Sequence, residues 1–182
     1  YICLHEPFFA QMAAVVNHAD YTANLSAFLD NARDHAILPD GRVKSRWTYG
    51  PWDAMPGSYD EFGFYEAQWG YLMDSQTSYV MNVAEQFFLT GDHEWLARHK
   101  DSCERALAFL TRREIGNGGL VAMMTDSHQR QRGSDWIDII WASYANAFVN
   151  AQLYAALNLW AEAEEELNDT SKAENYRAFA TR

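Results

Sequence analysis

Two carboxylates and an indole stand together in the stretch Ser134-Asp135-Trp136-Ile137-Asp138. Asp135 and Asp138 are three residues apart, so they share one face if the backbone is helical there. A protonated carboxyl group can donate a proton to a leaving oxygen, and an indole ring can stack on a sugar ring. The same residues also suit a plain helix start, because the side chain of Ser134 or Asp135 can accept a first-turn amide hydrogen. The stretch therefore predicts either a sugar-handling site or a capped helix.

A second candidate site is the aromatic segment 47–71. No helical or strand period is visible from about residue 41 to residue 70, and prolines and glycines interrupt the segment. A loop of this length in a compact domain is either functional or disordered, and so much apolar surface does not stay in water. We expect an ordered loop whose rings line a groove, with an apolar cluster and solvated charges as the alternative. The residues that we expect to bind a ligand are Trp47, Trp52, Trp69, Asp53, Glu61 and Glu66.

Two more candidates, His128 and Arg130, lie in the irregular segment 120–133. They could bind a substrate, or they could be surface residues near a loop tip, and a single His with a single Arg defines no reaction. No spacing of histidines and carboxylates converges on a metal ion, so we expect no metal site. No glycine-rich phosphate loop follows a strand, so we expect no nucleotide chemistry and no cofactor.

The charge balance limits the partners of the chain. Among its 182 residues, 14 are Lys or Arg and 25 are Asp or Glu, which gives a formal net charge of -11. Phosphate binding needs clustered basic residues, so we expect no nucleic acid and no anionic membrane as partner. No apolar run reaches transmembrane length and no basic-then-apolar leader is visible, which predicts a soluble chain without a recognisable signal peptide.

Apolar periodicity predicts helices in the regular parts of the chain. The expected helices cover residues 7–19, 20–29, 71–90, 92–113, 139–167 and 172–182, and no segment has the alternation of a strand. Short turns join the members of each pair, so the helices should pack as antiparallel hairpins. Cys103 lies on an apolar stripe and should be a small buried side chain. The sequence therefore predicts an all-α array with a single core.

Three turns between the helices carry local signals. Each combines a residue that caps a helix or accepts a positive φ with a residue that ends a helix. The turns are Pro39-Asp40-Gly41, Thr90-Gly91-Asp92 and Asn168-Asp169-Thr170.

The order of these elements resembles the six-hairpin, (α/α)6-toroid glycosidases and phosphorylases, which include cellobiose phosphorylase, glucoamylase, trehalase and α-L-rhamnosidase. The resemblance covers most of residues 70–182. One part is the helix that ends in Thr90-Gly91-Asp92 before a second helix. Another is the stretch 135–138, which looks like the Asp-Trp-Asn-Asp of the cellobiose phosphorylase group and the Gly-Asp-Trp of the rhamnosidases. A third is the alanine-rich helix that holds Asn146, followed by Asp169.

This resemblance implies roles for the residues that match. In the phosphorylase group the second acid of the motif is the proton donor and the Trp lines the sugar site, which implies Asp138 as general acid and Trp136 as sugar platform. The comparison with rhamnosidases implies Asp135 instead. Ile137 replaces the usual Asn, which speaks against phosphorolysis. The base of these enzymes usually lies in a later hairpin, so the resemblance implies that residues 1–182 are one helical-hairpin array within a larger (α/α)6 catalytic domain.

Two functions follow as expectations. The first is a glycoside hydrolase that cleaves a glycosidic bond in a carbohydrate substrate by inverting general acid/base chemistry. The second is a non-catalytic helical module that binds a glycan or a protein through the aromatic loop 47–71. A third, an isomerase or epimerase on the same toroid, ranks last because His128 has no obvious second histidine. An enzyme needs a partner carboxylate across a groove from Asp138, whereas a binding module does not.

Overall fold

The computed structural model describes residues 2–4, 19–44, 46–47, 72–123, 135 and 144–182. These residues form five helices, and the all-α prediction is confirmed. The helices are α1 (Ala19–His35), α2 (Asp74–Thr90), α3 (His93–Thr111), α4 (Ala147–Glu166) and α5 (Thr170–Ala180). A two-residue antiparallel pair, β1 (Ile2–Cys3) with β2 (Arg46–Trp47), was not predicted. Two residues are too few to produce an alternating pattern. The predicted helix 7–19 lies outside the described residues.

The turn between α2 and α3 agrees with its prediction. Gly91 has a φ of 68°, and its amide donates to the Phe87 carbonyl at 2.7 Å, as in a left-handed helix ending. The Asp92 carboxylate accepts the Trp95 amide at 2.9 Å and caps α3. Two residues are thus enough to reverse the chain, which makes α2 and α3 an antiparallel hairpin.

The turn between α4 and α5 is likewise confirmed. Asn168 has a φ of 62° and ends the first helix, and the Asp169 carboxylate accepts the Lys172 amide. Asparagine is one of the few residues that adopt a positive φ at modest cost. Helices α4 and α5 therefore form a second antiparallel hairpin.

The predicted start of the long helix at residue 139 is wrong. Residues 144–146 are not helical, and α4 begins at Ala147. The Asn146 side chain accepts the Val149 amide at 3.0 Å, so Asn146 is the N-cap. The apolar spacing continues on both sides of Asn146, so it cannot show at which residue the helix begins. The interpretation of Ser134 or Asp135 as the cap of this helix is therefore also wrong.

The described helices form two layers. The inner layer is α2 and α4, which run parallel: the Thr77 hydroxyl donates to the Gln152 side chain at 2.7 Å, one turn from each helix start. The outer layer is α1, α3 and α5, which run antiparallel to the inner helices. The Gln86 amide at the end of α2 donates to the Thr22 carbonyl at the start of α1, at 2.8 Å.

Neighbouring outer helices are offset by a nearly constant number of residues. The contact from Arg105 on α3 to Leu38 after α1 spans 67 residues. The contacts from α3 to the start of α5 span 69 residues for Lys100 with Asp169 and 68 residues for Glu104 with Lys172. The two steps are therefore alike, as in an array that adds one helix pair at a time.

Helix α2 is the centre of the core. Thirteen of its seventeen residues are buried, which is a larger fraction than in α3 or α4. Trp160 and Leu153 of α4 and Leu107 of α3 are among the large side chains that are fully buried around it.

Cys103 is fully buried, as predicted, and its thiol is free. Of the helices in the described residues, none is long and apolar enough to cross a membrane.

The turn after α1 brings the backbone against α3. Gly41 is buried with a φ of 91°, and a β-carbon there would lie 2.1 Å from the Arg105 carbonyl oxygen. The Arg105 guanidinium also donates to the Leu38 carbonyl at 3.0 Å. Gly41 is therefore required both for its backbone conformation and for the close approach of the two segments.

We predict that Gly41→Ala lowers the free energy of unfolding by about 3 kcal/mol or more. A left-handed alanine costs about 1–2 kcal/mol and forcing the two segments apart about 1–3 kcal/mol. Gly116→Ala is the matched control, because Gly116 has a φ of 65° and no atom near an added β-carbon. Gly116→Ala should lower the free energy of unfolding only by the cost of a left-handed alanine, about 1–2 kcal/mol. Urea unfolding followed by circular dichroism measures both, and equal losses would contradict the close approach.

A buried histidine links α1 to α3. His99 is fully buried, its Nδ1 lies 2.9 Å from the Trp95 carbonyl, and its Nε2 lies 3.4 Å from an Asp30 carboxylate oxygen. The backbone carbonyl can only accept, so Nδ1 carries a proton. Burial lowers the pKa of His99 below its usual value, and Arg33 adds to this, against the opposing effects of the Trp95 carbonyl and Asp30.

We predict that His99 makes the fold sensitive to mild acid. Because its pKa is lower in the folded chain than in the unfolded chain, stability is complete above about pH 6.5 and falls as the pH drops below that value. Thermal unfolding from pH 7.5 to pH 5 should show a steeper loss in the wild-type protein than in His99→Gln. The difference between the two curves removes the contribution of the other titrating groups, and parallel curves would rule this prediction out.

Candidate functional site

The described residues include only part of the predicted site. Asp135 is described in full, and Trp47 is described through its backbone in β2. The other predicted site residues lie outside the described residues. They are Asp138, Trp136, Trp52, Asp53, Glu61, Glu66, Trp69, His128 and Arg130.

Asp135 is a buried carboxylate next to the start of α4. Only 2% of its surface is exposed, and its Oδ2 accepts a hydrogen bond from the Asn146 side-chain amide at 2.7 Å. Asn146 is the N-cap of α4, so Asp135 lies close to the positive end of the helix dipole. An amide donor and a helix N-terminus both favour an ionised carboxylate. Burial acts in the opposite direction, so Asp135 is a buried carboxylate that an amide donor holds beside a helix start.

The base of the segment 124–143, which carries Asp135 and Asp138, is closed by backbone and asparagine contacts. The Met123 amide donates to the Tyr144 carbonyl at 2.8 Å, so the two ends of the segment meet. The Asn150 side chain accepts the Val121 amide at 2.8 Å and donates to the Val121 carbonyl at 3.2 Å. The ends of the segment are thus fixed to the first turn of α4.

An arginine supports this base from the side of α3. The Arg113 guanidinium donates to the carbonyls of Ala122 and Met123 at 3.0 and 2.9 Å. The Ala122 amide in turn donates to the Arg113 carbonyl at 2.9 Å. The segment therefore leaves from, and returns to, a rigid frame built on α3 and α4.

The first turn of α2 is polar and yet buried. Its five consecutive polar residues, Asp74-Ser75-Gln76-Thr77-Ser78, are each at most 2% exposed. The Ser75 hydroxyl has no hydrogen-bond partner within the described part of the chain. A buried polar group needs a partner, so polar runs inside a core are uncommon and mark specialised positions. Sequence reasoning missed this run because local patterning does not show which polar residues are buried.

Both predicted site segments lead into the same end of the array. The aromatic segment 47–71 directly precedes α2, and the segment 124–143 directly precedes α4. The two inner helices are parallel, and the Thr77 to Gln152 contact holds their first turns at similar height.

A separate acidic cluster lies between the two hairpins. Ligand oxygens of Glu104, Glu164 and Asp169 lie within 4.8 Å of one another, a spacing that a metal ion could use. The Lys100 ammonium lies 2.6 Å from Glu164 and 2.9 Å from Asp169, and the Lys172 ammonium contacts Glu104. Two ammonium groups therefore already lie among these three carboxylates, and the cluster is an ion-pair network that joins α3, α4 and α5.

Burial shifts several pKa values around this network. Desolvation raises the pKa of the fully buried Glu164, against the opposing hydrogen bonds from Lys100 and Trp160. For Lys100, desolvation is outweighed by its bonds to Asp169 and Glu164, which raise its pKa. Desolvation and the neighbouring carboxylates raise the pKa of Tyr176. Lys100 is thus a permanent cation that compensates a buried acid.

We predict that Lys100→Met destabilises the protein by about 3 kcal/mol, the scale for breaking a buried ion pair. The change leaves Glu164 without its ammonium partner. Lys172→Met is the matched control and should cost about 1 kcal/mol or less, since its pair with Glu104 is partly exposed. Urea unfolding at pH 7 measures both, and a larger loss for Lys172→Met would contradict this assignment.

A groove of about 520 Å³ lies beside α4, between the loop at Gly119 and the end of α5. Tyr154, Leu120 and Phe179 give it an apolar lining. Asp135, the one predicted site residue whose side chain is described, does not line it. The groove therefore adds no observation in favour of the sugar site.

Comparison with known proteins gives no assignment for this chain. Neither a protein-family model nor a curated protein matches it.

Proposed function

We propose that this chain is part of a glycoside hydrolase whose catalytic domain is an (α/α)6 toroid. It cleaves a glycosidic bond with inversion of configuration. Asp138 or Asp135 protonates the leaving oxygen, and Trp136 stacks on the sugar. The rings of Trp47, Trp52 and Trp69 line the groove. A carboxylate from a further hairpin, roughly 6.5–9.5 Å from the acid, activates water.

The observation that carries this proposal is the environment of Asp135. Its carboxylate is almost fully buried and is held by Asn146 at the N-terminus of an inner helix. Burying a carboxylate costs free energy unless its charge is compensated. A buried carboxylate with a fixed orientation therefore favours a functional role for Asp135. Glycosidases need carboxylates fixed on either side of the bond that they cleave.

The helix arrangement gives further support. Parallel inner helices with antiparallel outer helices, repeated at an offset of 67–69 residues, are what a toroid of hairpins would contain. In this arrangement every connection from an outer helix to the next inner helix lies at one end. The aromatic segment 47–71 and the segment 124–143 are two such connections. The rings and the two aspartates would therefore face a common groove.

The alternative is a non-catalytic helical module that binds a glycan or a protein through the aromatic loop 47–71. It needs the rings but no proton donor. The fixed orientation of Asp135 favours the enzyme, because a binding surface does not require a carboxylate that is held in one direction.

We predict that the full-length protein releases sugar from at least one member of a panel of 4-nitrophenyl glycosides and oligosaccharides. Asp138→Asn or Asp135→Asn should lower turnover by about a hundredfold or more if that residue is the donor, because an amide cannot supply the proton. Asp101→Asn is the matched control, since Asp101 is 83% exposed on the outer layer. Its turnover should equal that of the wild type.

Two further measurements separate the outcomes. Proton NMR of the first product gives its anomeric configuration, and retention would contradict the inverting mechanism. Activity that depends on phosphate would identify a phosphorylase instead of a hydrolase. If no glycoside is cleaved while the panel still binds, and binding is lost in Trp52→Ala, the non-catalytic module replaces the proposal.

A further inference from the structure

We infer that the open face of α4 is a packing surface for a third inner helix of the same protein, which lies parallel to α4 as α4 lies parallel to α2. The open face consists of the exposed residues Ala147, Ala151 and Tyr154, and the groove beside α4 extends it to Leu120 and Phe179. Packing alone carries this inference, which does not depend on the reaction proposed above.

The first step is a structural repeat that links each outer helix to the inner helix after it. The turn that follows α1 and the turn that follows α3 have the same backbone geometry. In each turn two backbone hydrogen bonds occupy corresponding positions, which are Lys44 to Ala36 and Leu38 to Arg42 after α1, and Ala122 to Arg113 and Ile115 to Leu120 after α3.

The repeat includes the contact of each turn with the next outer helix. A β-carbon on Gly41 would lie 2.1 Å from the Arg105 carbonyl oxygen, and a β-carbon on Gly119 would lie 2.9 Å from the Arg182 carbonyl carbon. Both glycines have a positive φ, of 91° and 72°. The second turn therefore packs against α5 as the first packs against α3.

The repeat continues through the hairpin turns. Gly91 and Asn168 end the two inner helices with positive φ values, and the carboxylates of Asp92 and Asp169 cap the outer helices that follow. The chain separation between these equivalent residues is the same in both pairs. Each residue of α2 thus has a counterpart in α4, and the burial of the two helices can be compared position by position.

The two inner helices share their core positions. Val80 and Val83 of α2 correspond to Leu157 and Trp160 of α4, and all four side chains are buried. These positions face the outer helices, which are present in both units. Equivalent residues therefore have equivalent surroundings wherever both units have a neighbour.

One face breaks this agreement. Asp74 and Thr77 of α2 are fully buried, whereas their counterparts Ala151 and Tyr154 are exposed, Tyr154 by 58%. On α2 this face is covered by α4, since the Thr77 hydroxyl donates to the Gln152 side chain at 2.7 Å. Among the described residues, no third inner helix covers the same face of α4.

The chemistry of the open face is that of an internal seam. Arrays of repeats end in a unit whose outer face is polar. Here the first two turns of α4 present Ala147, Ala151 and Tyr154, with Leu120 beside them at 51% exposed. Two small alanines allow a second helix to approach closely. The occupant is therefore a helix that presents an apolar stripe to these residues.

The test measures whether this face is covered in the full-length protein. Ala151→Cys places a thiol on the open face, and Ala178→Cys is the matched control on the exposed side of α5. Each variant is treated with a maleimide, and mass spectrometry of the modified peptide gives the labelling rate at that residue. Dividing by the rate in urea removes differences in intrinsic reactivity.

We predict that Ala151→Cys is labelled at least about tenfold more slowly than Ala178→Cys, because a covered thiol reacts only when its cover opens. Protection that persists on dilution would support a third helix of the same protein. Protection that disappears on dilution would show that a second copy covers the face, and equal rates would show that nothing does. Either of these two results would overturn the inference.

The labelling result and the glycosidase assay fail separately. Protection of Ala151→Cys without cleavage of any glycoside would keep the third helix and remove the proposed function. Cleavage without protection would keep the proposed function and remove the third helix.

Discussion

The burial of α2 is the constraint on which the described architecture depends. A helix enclosed on nearly every side needs partners for most of the polar side chains that it carries into the core. Its polar side chains reach each neighbouring helix: Gln86 bonds to Thr22 and Ser26 on α1, Tyr79 bonds to Ser102 on α3, and Thr77 bonds to Gln152 on α4. Apolar packing alone tolerates sliding, whereas these directional bonds fix the height of every neighbour relative to α2. The parallel alignment of the two inner helices, and hence the common end for both candidate segments, follows from this alignment.

Charge adds a second constraint, because a chain with a net charge of -11 repels itself unless acids are compensated where helices meet. The contact between the two hairpins shows how this is achieved. Glu164 is fully buried, yet it lies between the Lys100 ammonium and the Trp160 indole NH. Lys100 also reaches the Asp169 cap of α5, so one cation links three elements. At the start of α4 a neutral group contacts a buried acid, because the Asn146 side-chain amide donates to the Asp135 carboxylate.

The turns after α2 and α4 were predicted correctly, whereas the start of α4 and the features that depend on distant residues were not. The ending of α2 at Gly91 and the cap at Asp92 need only local geometry, and they were predicted at the right residues. The start of α4 was predicted too early, because the apolar spacing before Asn146 resembles a helix and only the backbone geometry at Asn146 rejects it. Asp135 was recognised as a candidate from its type and spacing. Its burial and its bond to a residue eleven positions later are tertiary facts that no local pattern carries.

The chemistry of the asparagine side chain explains why residue 146 suits the place where α4 begins and Asp135 lies. Residue 146 must accept a hydrogen bond from the Val149 amide and donate one to the Asp135 carboxylate. Aspartate supplies only acceptors at neutral pH, and serine has a single oxygen on a shorter stem, so it cannot reach in both directions. An amide has an acceptor and a donor on opposite sides of one plane. The residue that begins the inner helix therefore also contacts the buried acid, so a change in the start of α4 would be transmitted directly to Asp135.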